Sequence, residues 1–223
     1  MTFYEKLLRE TEQDRNILLN LPLITRGATG QLNLETYVAF LEQAYHHVKH
    51  TIPLLMLTGA RLDERYEWLR VAIGEYIEEE MGHQEWVLND IKACGFDQEA
   101  VRNGRPGNAT ELMVAYAYDM VNRVNPIGFF GMVLVLEGTS TAVASHAAKS
   151  IAQTLKLSPA SFTYLASHGA LDIEHTKFYE DIVNKITDAK DQQLLIHAAK
   201  VFYKLYADIF RELGSKFLEK DTV

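Results

Sequence analysis

Apolar residues recur at spacings of three and four along most of the chain, while runs that alternate apolar with polar residues are few, so the pattern predicts helices. Residues 2–20 place Phe3, Leu7, Leu8, Ile17 and Leu18 roughly on one face. A loop over residues 21–33 follows. Asn33 is a good N-cap with Glu35 in the first turn, opening a helix towards Leu57 that Pro53 is expected to bend. Asp63 caps the next helix, which carries Trp68, Val71, Ile73, Ile77, Val87, Leu88 and Ile91 and stops near Gly95.

Residues 97–108 read as a surface connection because of their Gly and Pro content. A helix over residues 110–124 ends at Asn125-Pro126, and Pro126 starts a long one reaching Leu155. Ser158-Pro159 opens another stretch, with Gly169 inside it as a potential bend, and Asp188 starts the last helix, to about Leu218. The expectation is an all-α fold of seven or so helices, without a repeat or a strand. At 223 residues this is one domain, residues 1–223, large enough to bury its own core.

Charge and cysteine content narrow the partners. A net charge of −8 with no Lys/Arg cluster excludes a phosphate-backbone partner, and so nucleic acid, and disfavours an anionic membrane surface. The most apolar run, residues 126–136, is eleven residues long and too short for a bilayer. Cys94 is the only cysteine, so no internal disulfide forms and a cytoplasmic location is expected.

Chemistry concentrates in three places. In residues 165–175, His168, Asp172 and His175 stand four and three apart and share a helical face. Glu80 and His83 are three apart, a spacing that lets a carboxylate and an imidazole bind one metal pair in a bundle, although Glu79 competes with Glu80. Glu137 ends an apolar run, and a buried carboxylate must pair with a cation such as Arg123, accept hydrogen bonds or bind metal.

Singly, each of these has an ordinary structural explanation: a helix cap, a core histidine or a solvated acidic face. Together they are three carboxylates and three imidazoles on three helices, enough for two metals with open positions. The absence of thiolate favours iron, with manganese possible, over structural zinc. His46, His47 and His50 read as surface residues, and Cys94 shows no histidine partner for nucleophilic work.

The order Glu80-xx-His83, a lone Glu137 in an apolar helix, then His168-xxx-Asp172-xx-His175 resembles the haem-oxygenase-like di-iron oxidases and oxygenases. The helical layout is similar to the wider superfamily of TenA-type thiaminases, the PqqC oxidase and haem oxygenase. The resemblance implies a haem-oxygenase-like (TenA-like) multi-helix bundle in which these six residues hold two irons, with O2 as co-substrate. It also implies oxidation of a small organic molecule, such as cleavage of a fatty acid to an alkene in one group, and a homodimer.

The long helix from Pro126 carries no cysteine, unlike TenA-type thiaminases, and the first histidine is His46, unlike the N-terminal axial histidine of haem oxygenase. A ferritin-like set would require a further glutamate such as Glu42. The expected function is therefore an iron-dependent oxidoreductase acting on a small, partly apolar substrate. The alternatives are a metal-free small-molecule-binding or regulatory protein of the same fold, and a cofactorless oxidase of the PqqC type.

Overall fold

A computed structural model describes residues 1–218, with backbone only for residues 168–174. His168 and Asp172, and the bend expected at Gly169, lie outside the described residues. The described chain forms twelve α-helices and no strand: α1 Phe3–Glu10, α2 Glu12–Leu19, α3 Pro22–Ala28, α4 Leu34–Val48, α5 Thr51–Arg61, α6 Glu67–Glu80, α7 His83–Ala93, α8 Gln98–Arg102, α9 Asn108–Asp119, α10 Phe129–Leu155, α11 Thr163–Val183 and α12 Ala189–Phe217.

The bundle is built around α10, which packs against α11, α12 and α3. Phe129, Phe130, Met132, Leu134 and Val135 are all buried, so its first two turns are apolar around most of the circumference. The helix is long and apolar enough to cross a membrane, but 56% of its most apolar window is buried inside the bundle, as befits a core helix. On α12, Leu195, Ala198, Ala199, Phe202, Tyr203, Tyr206 and Phe210 follow the three-and-four spacing of one buried face. A fully buried Phe130 or Phe202 contributes about 1.5–3 kcal/mol each.

Local signals account for most boundaries. Thr2 and Glu5 form a reciprocal capping box on α1. Asn33 Oδ1 accepts from the Thr36 amide at 2.8 Å, and Asp188 Oδ1 from those of Lys190 and Asp191 at 2.8 and 3.1 Å. Gly95, at φ 87°, ends α7 where the sequence placed its stop.

Several boundaries differ from expectation. The first helix breaks at Thr11 into two, and the loop expected over residues 21–33 contains α3, whose Pro22 occupies the first turn. Residues 97–108 contain α8, capped by Asp97. Pro53 causes no bend: the chain breaks earlier, at Lys49-His50, and Pro53 falls in the first turn of α5, where a missing N–H costs nothing. Before Asn125 the backbone widens into a π-turn, Met120–Val124, and Arg61 Nε donates to the Val121 carbonyl at 3.0 Å.

The break that matters most for chemistry lies between α6 and α7. A single helix was expected from Asp63 to Cys94, but Met81 is extended and Gly82 is left-handed at φ 94°. Glu80 thus ends one helix and His83 begins the next.

Candidate functional site

α6, α7, α10 and α11 bring Glu79, Glu80, His83, Glu137 and His175 into pairwise contact, and Glu80 and Glu137 line an internal cavity. Glu80 and His83 do not share the face of a continuous helix, yet the turn through Gly82 folds them together, with His83 Nδ1 at 3.0 Å from Glu80 Oε2. His83 is stacked on Trp86 with ring centroids 4.0 Å apart. From α11, His175 places Nε2 2.9 Å from Glu79 Oε2 and Nδ1 4.0 Å from Glu137 Oε1. Glu80 and Glu137 side chains are only 12% and 15% exposed, so both carboxylates are largely withdrawn from water.

The surrounding helices are pinned. Tyr179 Oη on α11 donates to the Phe130 carbonyl on α10 at 2.7 Å, holding the helix of His175 against that of Glu137. Asp90 of α7 accepts from the amides of Thr163 and Tyr164, both at 2.9 Å, at the start of α11. Burial nonetheless raises the Asp90 carboxyl above its ordinary range, outweighing those hydrogen bonds.

Arg123, the cation that could have answered Glu137, lies at the surface with its Nε 2.7 Å from Asp119. Glu42, the additional ferritin-type candidate, is not on the cavity wall, and the charge it feels is that of Lys216. Cys94 is buried, which pushes its thiol pKa up, the wrong direction for a nucleophile.

The cavity, about 150 Å³, runs from Glu80 and Glu137 between α3, α4, α5, α10 and α12. Phe129, Met132, Val133 and Leu136 line it as the apolar run of α10 suggested, joined by Leu23 and Ile24 of α3 and Phe40 of α4. His47 is on this wall as well, edge-on to Tyr206 with centroids 5.9 Å apart. His46 and His47 are each only 3% exposed, which corrects their reading as surface histidines. The sequence signal for this was the apolar company of the pair, since Ala44, Tyr45 and Val48 flank them and the whole run is buried.

Among the described residues, no three His, Cys or carboxylate side chains converge at metal-ligand spacing. The contacts are pairwise, between carboxylate oxygens and imidazole nitrogens. As a donor set the described residues nevertheless suit iron: hard oxygens and imidazoles, no thiolate, largely buried at the head of an apolar cavity. His168 and Asp172, the other two expected ligands, lie outside the described side chains.

The known proteins most informative about this arrangement are structural. A domain of unknown function with a haem-oxygenase-like fold from Shewanella denitrificans superposes with a TM-score of 0.87 at 22% identity, covering 100% of this chain and 96% of that one. A TenA homologue from Pseudomonas syringae gives 0.82 at 11% identity, covering 96% and 93%. Haem oxygenase-1 from the cyanobacterium Synechocystis, in complex with haem, gives 0.77 at 10% identity, covering 99% and 96%.

At these identities the likeness establishes a haem-oxygenase-like, TenA-like fold. No curated protein matches the chain. The family described as iron-containing redox enzyme matches residues 38–207, a span running from α4 through most of α12 and including every proposed ligand. The chain therefore belongs to the haem-oxygenase-like family of iron-containing redox enzymes.

Proposed function

We propose that this protein is a non-haem di-iron oxidase or oxygenase that uses O2 to oxidise a small, partly apolar organic substrate. The observation that carries the reading is the meeting of Glu137 with His175 and of Glu80 with His83, with both carboxylates on the wall of one apolar cavity. Glu80, His83, Glu137 and His175, together with His168 and Asp172, would hold the metal. Bound ferrous iron supplies electrons and open coordination positions for the reaction of dioxygen with an organic molecule.

The chain's own residues do the rest. The two largely buried carboxylates place negative charge on that wall, which favours a cation over an apolar occupant there. Trp86, stacked on His83, restricts that ring's orientation. Phe129, Met132, Val133 and Leu136 exclude water along one wall and present carbon surface to the substrate body.

Anaerobic Fe(II) titration of the wild type, His175→Ala and Glu137→Gln tests the reading. Wild type should bind about two irons per chain and consume O2 once loaded, and each variant should lose at least one. Iron content unaffected by both substitutions would overturn it. The apolar lining also supports a second reading, a metal-free protein that binds a small molecule. That reading predicts ligand binding insensitive to chelator and no oxygen uptake.

A further inference from the structure

We propose that the hydroxyl of Tyr76 is the hydrogen-bond donor that selects the ligand of this cavity, a molecule with an apolar body and a hydrogen-bond-accepting oxygen at one end. Tyr76 lies on α6, one turn before Glu80, and forms part of the cavity wall at the carboxylate end. The residue is 2% exposed and its Oη has no hydrogen-bond partner among the described residues. Phe178, with ring centroids 5.1 Å away, and His175, at 6.2 Å, hold the ring in place.

Buried tyrosine hydroxyls ordinarily find a partner, because an unmet one keeps its full desolvation penalty. Here the ring is fixed and the donor is left over, in a wall that is otherwise mostly carbon. A phenol carries its proton at neutral pH and so acts as a hydrogen-bond donor. It therefore offers a proton to an acceptor, and a carbonyl or ether-type oxygen at the end of an apolar chain satisfies it while the chain occupies the space beside Leu136 and Met132. This deepens the proposed function by naming the substrate class, and it rests on that reading only in taking this cavity as the substrate's place, not on iron.

The test measures partition of 2-octanone and octane into metal-free protein by headspace gas chromatography, for wild type and Tyr76→Phe. The ketone should bind Tyr76→Phe about fivefold more weakly, the loss of one net hydrogen bond, with octane unchanged. The melting temperature of the variant should equal the wild type's or rise by about 2–4 °C, because an unmet hydroxyl has been removed.

Equal weakening of both probes would assign Tyr76 to packing, and unchanged ketone binding would remove it as a donor. Either result overturns the proposal. So does a drop in melting temperature of about 4 °C or more, which would show a hydroxyl satisfied within the fold. In wild type carrying 13Cζ-tyrosine, 2-octanone should shift one buried tyrosine resonance and octane none, and no shift with the ketone would equally overturn it. Iron content is measured in parallel: loss of iron with ketone discrimination intact would assign the hydroxyl to the carboxylates instead, while failure of iron binding in wild type leaves the ketone result standing by itself.

Discussion

Asp90 and Thr163 are joined twice: the Thr163 amide and hydroxyl both donate to Asp90 Oδ1, at 2.9 and 2.5 Å. Asp90 is fully buried on the helix that begins with His83, and Thr163 begins the helix that carries His175. One carboxylate thus couples the positions of two proposed ligands. Asp90→Ala should lower unfolding free energy by about 2–3 kcal/mol, the loss of a buried charged cap, with Asp90→Asn costing less because its amide oxygen still accepts. Urea unfolding of both variants measures this, and an Asp90→Ala loss below about 0.5 kcal/mol would mean that the start of α11 is held by other contacts.

Glu79 and Glu80 compete for one role, and the structure divides them. Glu79 is 52% exposed while reaching His175 Nε2, whereas Glu80 is 12% exposed and paired with His83. Glu80→Gln should weaken Fe(II) binding about tenfold or more, and Glu79→Gln should leave it within about twofold. Competition with a fluorescent chelator reads both. The reverse ranking would transfer the ligand role to Glu79.

Two glycines on α10 should respond to alanine with opposite signs. A Cβ on Gly131 would stand 2.7 Å from the Ala199 amide nitrogen and 3.0 Å from the Ala198 carbonyl carbon, backbone atoms of α12 that cannot step aside. Gly131→Ala should cost about 1–3 kcal/mol despite its gain in helix propensity. Gly138 has open space around the same position, so Gly138→Ala should gain about 0.5–1 kcal/mol. Chemical unfolding compares the two, and equal signs would show that α10 and α12 are not in such close approach.

His46 should make the fold sensitive to mild acid. Burial first, then the charges of Lys49 and His50, push its pKa down to about 4 from an ordinary 6.5, and Lys49 Nζ donates to its Nδ1 at 3.2 Å. Above pH 6.5 the ring is neutral in folded and unfolded chains alike. As pH falls towards 4, the unfolded chain takes up a proton that the folded one refuses, so stability declines across that window and changes no further below it. The loss is on the order of 3 kcal/mol. Urea midpoints at pH 7.5, 5.5 and 4 should fall for wild type and fall less for His46→Gln, and parallel curves would exclude His46 as a source.

What the linear chain determined by itself was the helical class, the caps at Asn33 and Asp188, the stop at Gly95 and the apolar wall of α10, because each depends on neighbours within a turn or two. The spacing of Glu80, His83, Glu137 and His175 was legible in the same way as a donor set of the right chemistry. Only the tertiary structure decided that Glu80 and His83 meet across a break at Gly82, since the left-handed turn is a backbone choice that a glycine permits without announcing it. The cavity likewise depends on α3, α4 and α12 arriving from distant parts of the chain, which is why His47 passed for a surface residue. Local rules govern which residues become helix; long-range packing governs which side chains share a space.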